Sequence, residues 1–172
     1  MKDQLLKIYI FEIFSQKEFA IKSYEGFVDS LKIKKSPKEC LYHIHHFLVH
    51  VGNIIKILFP ADNKKNPDNN FIQERAKNIQ EKLNLSESDF DIHEIGVRND
   101  FEHYDTRIDF WVKNSKNHNY CDMNIISKGS ISGLDIKDMF RNLDPKSNIL
   151  TFCGKEYNLE YLRKFLIEKI VV

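Results

Sequence analysis

Glycine and proline are scarce, at 6 and 4 residues of 172. That scarcity argues against many short strands joined by tight turns and favours long helices. Cysteine is also sparse. Cys40, Cys121 and Cys153 are odd in number, far apart and free of any CxxC pair, so a disulfide scaffold is not expected. A reduced, cytoplasmic chain fits this pattern. Net charge is nearly absent too, at +1 with 30% charged residues. Bulk basicity therefore cannot be what holds a polyanion, although a local basic patch can. Long apolar runs are missing. The richest stretch, Phe47 to Phe59, is broken by His50, Gly52, Asn53 and Lys56, short of the ~20 apolar residues that cross a bilayer. The first residues show no apolar run ending in small side chains, so no secretory leader and no membrane partner are expected.

What is present is helical periodicity. The chain is long enough for one domain with a real core. Phe19, Ala20, Tyr24, Phe27, Val28 and Leu31 recur at helical spacing, which predicts mainly helix over residues 3–33, with Ser15 and Glu18 as a capping box; ahead of Ser15, Ile8, Ile10 and Phe11 would also suit a strand. Ser36, Pro37 and Glu39 start a second helix that runs to about Phe59. Its apolar stripe is Leu41, Ile44, Leu48, Val51, Ile55 and Leu58. On the other side, Glu39, His43, His46, His50 and Asn53 fall within about 40° of one line at 100° per residue. Such a line is either a solvated face or the border of a polar cleft. His46 and His50 also have an i, i+4 spacing able to chelate a metal, though without the glutamate of an HExxH motif.

Residues 61–70 read as a polar loop and 71–84 as helix. The densest polar cluster, from Val97 to Arg107, lies on a helix predicted over about Ile92 to Val112, with Ile108, Phe110, Trp111 and Val112 as its core side. Beyond it, Asn124–Ile126 is a strand candidate and Asp135–Asn142 one or two helical turns. Ile149–Phe152 and Glu156–Tyr157 form a hairpin about Gly154 and Lys155, and Asn158 caps a closing helix. The expected fold is mainly α: an antiparallel bundle of four to five helices with a small C-terminal β-hairpin and a closing helix. Residues 1–172 form a single domain, with 113–172 a partly irregular extension.

The Val97–Arg107 segment offers chemistry. Arg98 followed by His103 is a weak spacing, since roughly 0.6 such matches arise by chance in this composition. Asn99 after the arginine and Glu102 before the histidine add weight. Asn99 and His103 share a helical face, while Arg98 and His103 stand about 140° apart. The bland alternative is an Arg98–Glu102 pair at i, i+4 on a solvated helix. The functional alternative is RNA cleavage without metal. A histidine takes the proton of a ribose 2′-OH or protonates the leaving oxygen, and an arginine holds the phosphate.

Arg98-Asn99-Asp100-Phe101-Glu102-His103 resembles the R-x4–6-H motif of the HEPN superfamily, in which a polar residue, often Asn, follows the arginine. The longer stretch Val97–Trp111 resembles an uncharacterised bacterial group with an RN-x-x-EH-x-D-x-R-x-D helix. That group carries an earlier His-x-x-Asn segment ahead of an aromatic–Pro end, here His50, Asn53 and Phe59-Pro60. The resemblance covers roughly residues 38–60 and 95–112 and leaves the C-terminal third outside. It implies a homodimeric helical bundle whose two motifs face a shared cleft. It also implies metal-independent endoribonuclease activity in a toxin–antitoxin or defence setting, with an antitoxin protein as partner. His103, Arg98, Asn99 and Glu102 are the catalytic candidates; His50, Asn53, His46 and Asp105 are the cleft-lining ones. No cofactor is implied. Asp105 stands where toxins paired with a nucleotidyltransferase antitoxin carry a tyrosine, and the tyrosine here is adjacent, at Tyr104. Two other functions remain open: a non-catalytic dimer that binds a nucleotide or protein in the same cleft, and a metal-dependent hydrolase using His46, His50 and the carboxylates of Glu102 or Asp105.

Overall fold

The computed structural model describes residues 3–86, 89, 90, 96, 100 and 103–171. Helix α1 (Asp3–Lys32) is about 45 Å long at 1.5 Å per residue. It buries Ile13, Ala20, Tyr24 and Phe27, spaced seven, four and three apart. Ser15 does not start a helix. Its hydroxyl donates 3.0 Å back to the Phe11 carbonyl within an unbroken helix, because the apolar periodicity runs straight through it.

Helix α2 (Pro37–Leu58) begins as expected. The Ser36 hydroxyl accepts from the Glu39 amide, and Pro37 occupies the first turn. All six residues of the predicted apolar stripe are buried, at 6% exposure or less. Each contributes about 1.5–3 kcal/mol on full burial. Helices α1 and α2 make the main contact of the core, and Gly26 allows it: a Cβ there would lie 2.7 Å from His43 Nδ1. Helix α3 (Asn69–Lys82) closes over the end of this pair through Ala76 and Ile79. Among the described residues, no helix is long and apolar enough to cross a membrane.

Helix α4 (Tyr104–Asn114) is shorter than the helix expected over Ile92–Val112. His103, at φ −110° and ψ 45°, is its non-helical N-cap, so the polar segment is not one continuous helix through the motif. Gly96 and Asp100 are helical; 91–95, 97–99, 101 and 102 lie outside the described residues. Ile108, Phe110 and Val112 are exposed at 37%, 53% and 47%, not core. Only one face of α4 meets the protein: Trp111 stacks on Phe140 at 4.9 Å, and Tyr104 packs on Phe140 and Phe152.

The C-terminal third is a four-stranded mixed sheet in the order β1 (Asn124–Ile125), β2 (Arg141–Asp144), β3 (Ile149–Phe152), β4 (Lys155–Asn158). β1 runs parallel to β2, and the other pairs are antiparallel. β3 falls where the sequence placed it. Of the helical turns expected over Asp135–Asn142, Ile136–Asp138 forms one, a 3₁₀ turn opened by an Asp135 capping box, and the last two residues, Arg141 and Asn142, belong instead to β2. The β3–β4 turn is Cys153-Gly154, one residue earlier than expected. Both have positive φ, 49° and 76°, the mirror-image geometry that matches strand twist. One sheet face carries Leu143, Leu150, Phe152 and Tyr157 into the core. The other carries the cross-strand row Asn142, Thr151 and Glu156. Helix α5 (Leu159–Glu168) is capped by the Asn158 side chain, which accepts from Tyr161 N, and closes the fold with Leu159, Leu162, Phe165 and Leu166 buried.

Candidate functional site

Asp100, in the middle of the predicted motif, is fully buried at 0% exposure. Lys155 Nζ donates to its Oδ1 at 3.0 Å, and the Tyr157 hydroxyl donates to Oδ2. Arg107, one turn into α4, brings Nε within 2.7 Å of Oδ1 as a charge contact, without an aligned hydrogen bond. A carboxylate in the interior needs such partners to remain charged there. β4 supplies two of them because alternation along the strand turns Lys155 and Tyr157 to the same face. Two cations therefore meet one buried carboxylate, and the exposed carboxylates of Asp105 and Asp109 follow on α4.

Three residues after Asp100, His103 is exposed. Its carbonyl accepts from Arg107 N at 3.0 Å and from the Thr106 hydroxyl at 2.9 Å, so its backbone is held while no cap bond occupies its side chain. The next residue, Tyr104, is anchored among Phe140, Phe152 and His45. His103 is thus an exposed imidazole between the anchored Asp100 and Tyr104, at a helix N-terminus whose partial positive charge favours anions. Asp105, also exposed, follows in the first turn of α4. Arg98, Asn99 and Glu102 lie outside the described residues.

The polar line of α2 has other partners. Glu39 pairs with Lys35 at 3.5 Å. His43 fills the notch over Gly26. His46 packs edge-on against Tyr42, with ring centroids 4.3 Å apart. His50 Nδ1 lies 2.8 Å from Gln16 Oε1, which also accepts from Asn53 Nδ2 at 3.2 Å. Burial first, then the charge of His46, pushes the His50 pKa below its usual value. His50 and Asn53 are thus brought together on α1, within the α1–α2 seam. His46 and His50 are engaged separately. Among the described residues, no three or more His, Cys, Asp or Glu side chains gather to hold a metal ion.

The histidine of α2 that faces α4 is His45, its ring 6.3 Å from that of Tyr104. Loss of solvation, then the charges of His46 and Arg141, push its pKa down. It stands at the rim of a cavity of about 220 Å³ between α2 and the sheet. Leu41, Ile44, Met123, Leu150 and Phe152 form the apolar walls, and Lys38, Tyr42 and Arg141 line it as well. Arg141 is oriented by Asp122, which accepts from its Nε at 2.7 Å and also from Nη2, and its guanidinium lies over the Phe140 ring at 5.3 Å. Sequence reasoning missed this cavity. The one signal was that His45 interrupts the apolar stripe, four residues after Leu41 and three before Leu48.

Compared with known proteins, the chain matches no family model, no curated protein and no solved structure.

Proposed function

We propose that the chain is a HEPN-like, metal-independent endoribonuclease that acts as a homodimer, in the manner of a toxin or defence factor held in check by an antitoxin protein. The observation that carries this reading is the presentation of His103: solvent-facing, fixed through its backbone, and preceded by a buried Asp100 that pairs with Arg107 and Lys155. In this reading the His103 imidazole takes the proton of a ribose 2′-OH. The freed oxygen attacks the adjacent phosphorus and the P–O5′ bond breaks. A protonated imidazole, that of the second copy in a dimer, or water returns a proton to the 5′-oxygen. The products are a 2′,3′-cyclic phosphate and a 5′-hydroxyl. Arg98 holds the phosphate, and Asn99 and Glu102 orient it and the ring.

The test is cleavage of RNA by the wild type, His103→Ala and Arg98→Ala, purified identically. Both variants should lose activity. Full activity in both would overturn the assignment.

A second reading, a dimer that binds a nucleotide or protein without turnover, draws on one observation: His50 and Asn53, which the first reading would set in a catalytic cleft, are bonded to Gln16 of α1. It predicts binding with no cleavage by the wild type.

A further inference from the structure

We infer that the cavity between α2 and the sheet is a subsite for one nucleoside monophosphate unit, with the base inside and the phosphate at the Lys38 end. This deepens the RNA-directed reading above and rests on it. Three observations carry it.

The first is size. A cavity of about 150 Å³ accommodates benzene, while pockets for drug-sized molecules run from about 300 Å³ upward. At about 220 Å³, this one takes a single ring system and leaves the rest of the ligand at the mouth.

The second is the character of the walls. Met123, Leu150 and Phe152 give an apolar interior, and Tyr42, 59% exposed, offers a ring at the edge. Aromatic and apolar faces accept bases whatever their sequence, because every base has a π-face.

The third is charge. Lys38 lines the cavity, is exposed, and has no ion pair among the described residues. Arg141 lines it too, paired with Asp122 and with its guanidinium over the Phe140 ring. The Tyr104 ring, packed on both Phe152 and His45, links the cavity wall to the residue next to His103, so a nucleotide seated here lies on the motif's side of the protein.

The test is methyl-resolved NMR on the full chain carrying His103→Ala, so that RNA survives. AMP, UMP, uridine, inorganic phosphate and a five-nucleotide RNA are titrated in turn. The expected result is that AMP and UMP shift the methyl signals of Met123, Leu150 and Ile44, whereas uridine and phosphate alone bind at least tenfold more weakly. Lys38→Glu and Tyr42→Ala, both at exposed positions, should each weaken binding by roughly tenfold; Lys64→Glu, in the loop after α2, should not. Tighter binding of the five-mer at the same methyls identifies an RNA unit as the source, and equal binding a free mononucleotide. Absence of these methyl shifts at millimolar AMP and UMP, or unchanged affinity in Lys38→Glu, overturns the subsite. Cleavage by the wild type is scored separately. Cleavage without cavity binding removes the subsite alone, and binding without cleavage removes the ribonuclease reading alone.

Discussion

The Tyr157 hydroxyl donates to Asp100 Oδ2 in the interior, tying β4 to the centre of the Arg98–His103 segment across 57 positions of chain. A carboxylate with 0% exposure cannot lose a partner cheaply. Asp100→Ala leaves the buried Tyr157 hydroxyl without its acceptor, while Lys155 and Arg107, 47% and 28% exposed, keep access to water, and it should cost about 1–3 kcal/mol. Tyr157→Phe removes one donor and should cost about 1–3 kcal/mol. Urea unfolding of both variants checks this; a near-neutral Asp100→Ala would mean that the segment is not held by this cluster.

Gly26 sits where α1 meets α2. Alanine in a helix interior is ordinarily worth about 1 kcal/mol over glycine. Here the added Cβ would meet His43 Nδ1 at 2.7 Å, and overpacking of this kind costs about 1–3 kcal/mol. Gly26→Ala should therefore destabilise by about 1 kcal/mol in the wild type and stabilise in a His43→Ala background. Simple additivity in the double-mutant cycle would contradict the close approach.

Much of this seam was readable in the linear pattern. The α2 stripe, the Ser36 cap, β3 and the Asn158 cap are set by local rules of periodicity and hydrogen bonding, and they appear where those rules put them. β2 was not readable, because Arg141–Asp144 becomes a strand through its pairing with Ile149–Phe152, a contact absent from its own sequence. Ile108, Phe110 and Val112 misled for the reverse reason: helical spacing of apolar residues says nothing about which of them finds a surface to cover. The site was partly legible. His103 is exposed, but of the polar line on α2, His43, His50 and Asn53 find their partners on α1 and His46 packs on Tyr42 of its own helix, and the cavity at His45 and Arg141 joins residues 96 positions apart that no local pattern connects.

Acid should weaken the fold in two separate windows. His45 and His50 both have folded-state pKa values below the ordinary 6.5. The unfolded chain then binds more protons than the native one as pH falls through about 6.5, and stability drops over that range. Asp144 and Glu160 are held below their usual 3.8 and 4.5, Asp144 first by the Lys146 amide and Glu160 first by Arg163. Their contribution is complete above those values and is lost only as pH falls further. Thermal melting between pH 7.5 and 5 should show a falling Tm, with a shallower slope in His50→Gln. An unchanged slope in that variant would contradict the burial of a neutral His50 against Gln16.

The most direct test of the central claim is the chemistry of RNA ends formed in the presence of EDTA. The account predicts that the wild type cleaves under chelation and leaves 2′,3′-cyclic phosphates and 5′-hydroxyls, while His103→Ala is slower by about 10²–10⁴-fold. Cleavage that stops with chelator, or that survives in full without His103, would contradict it.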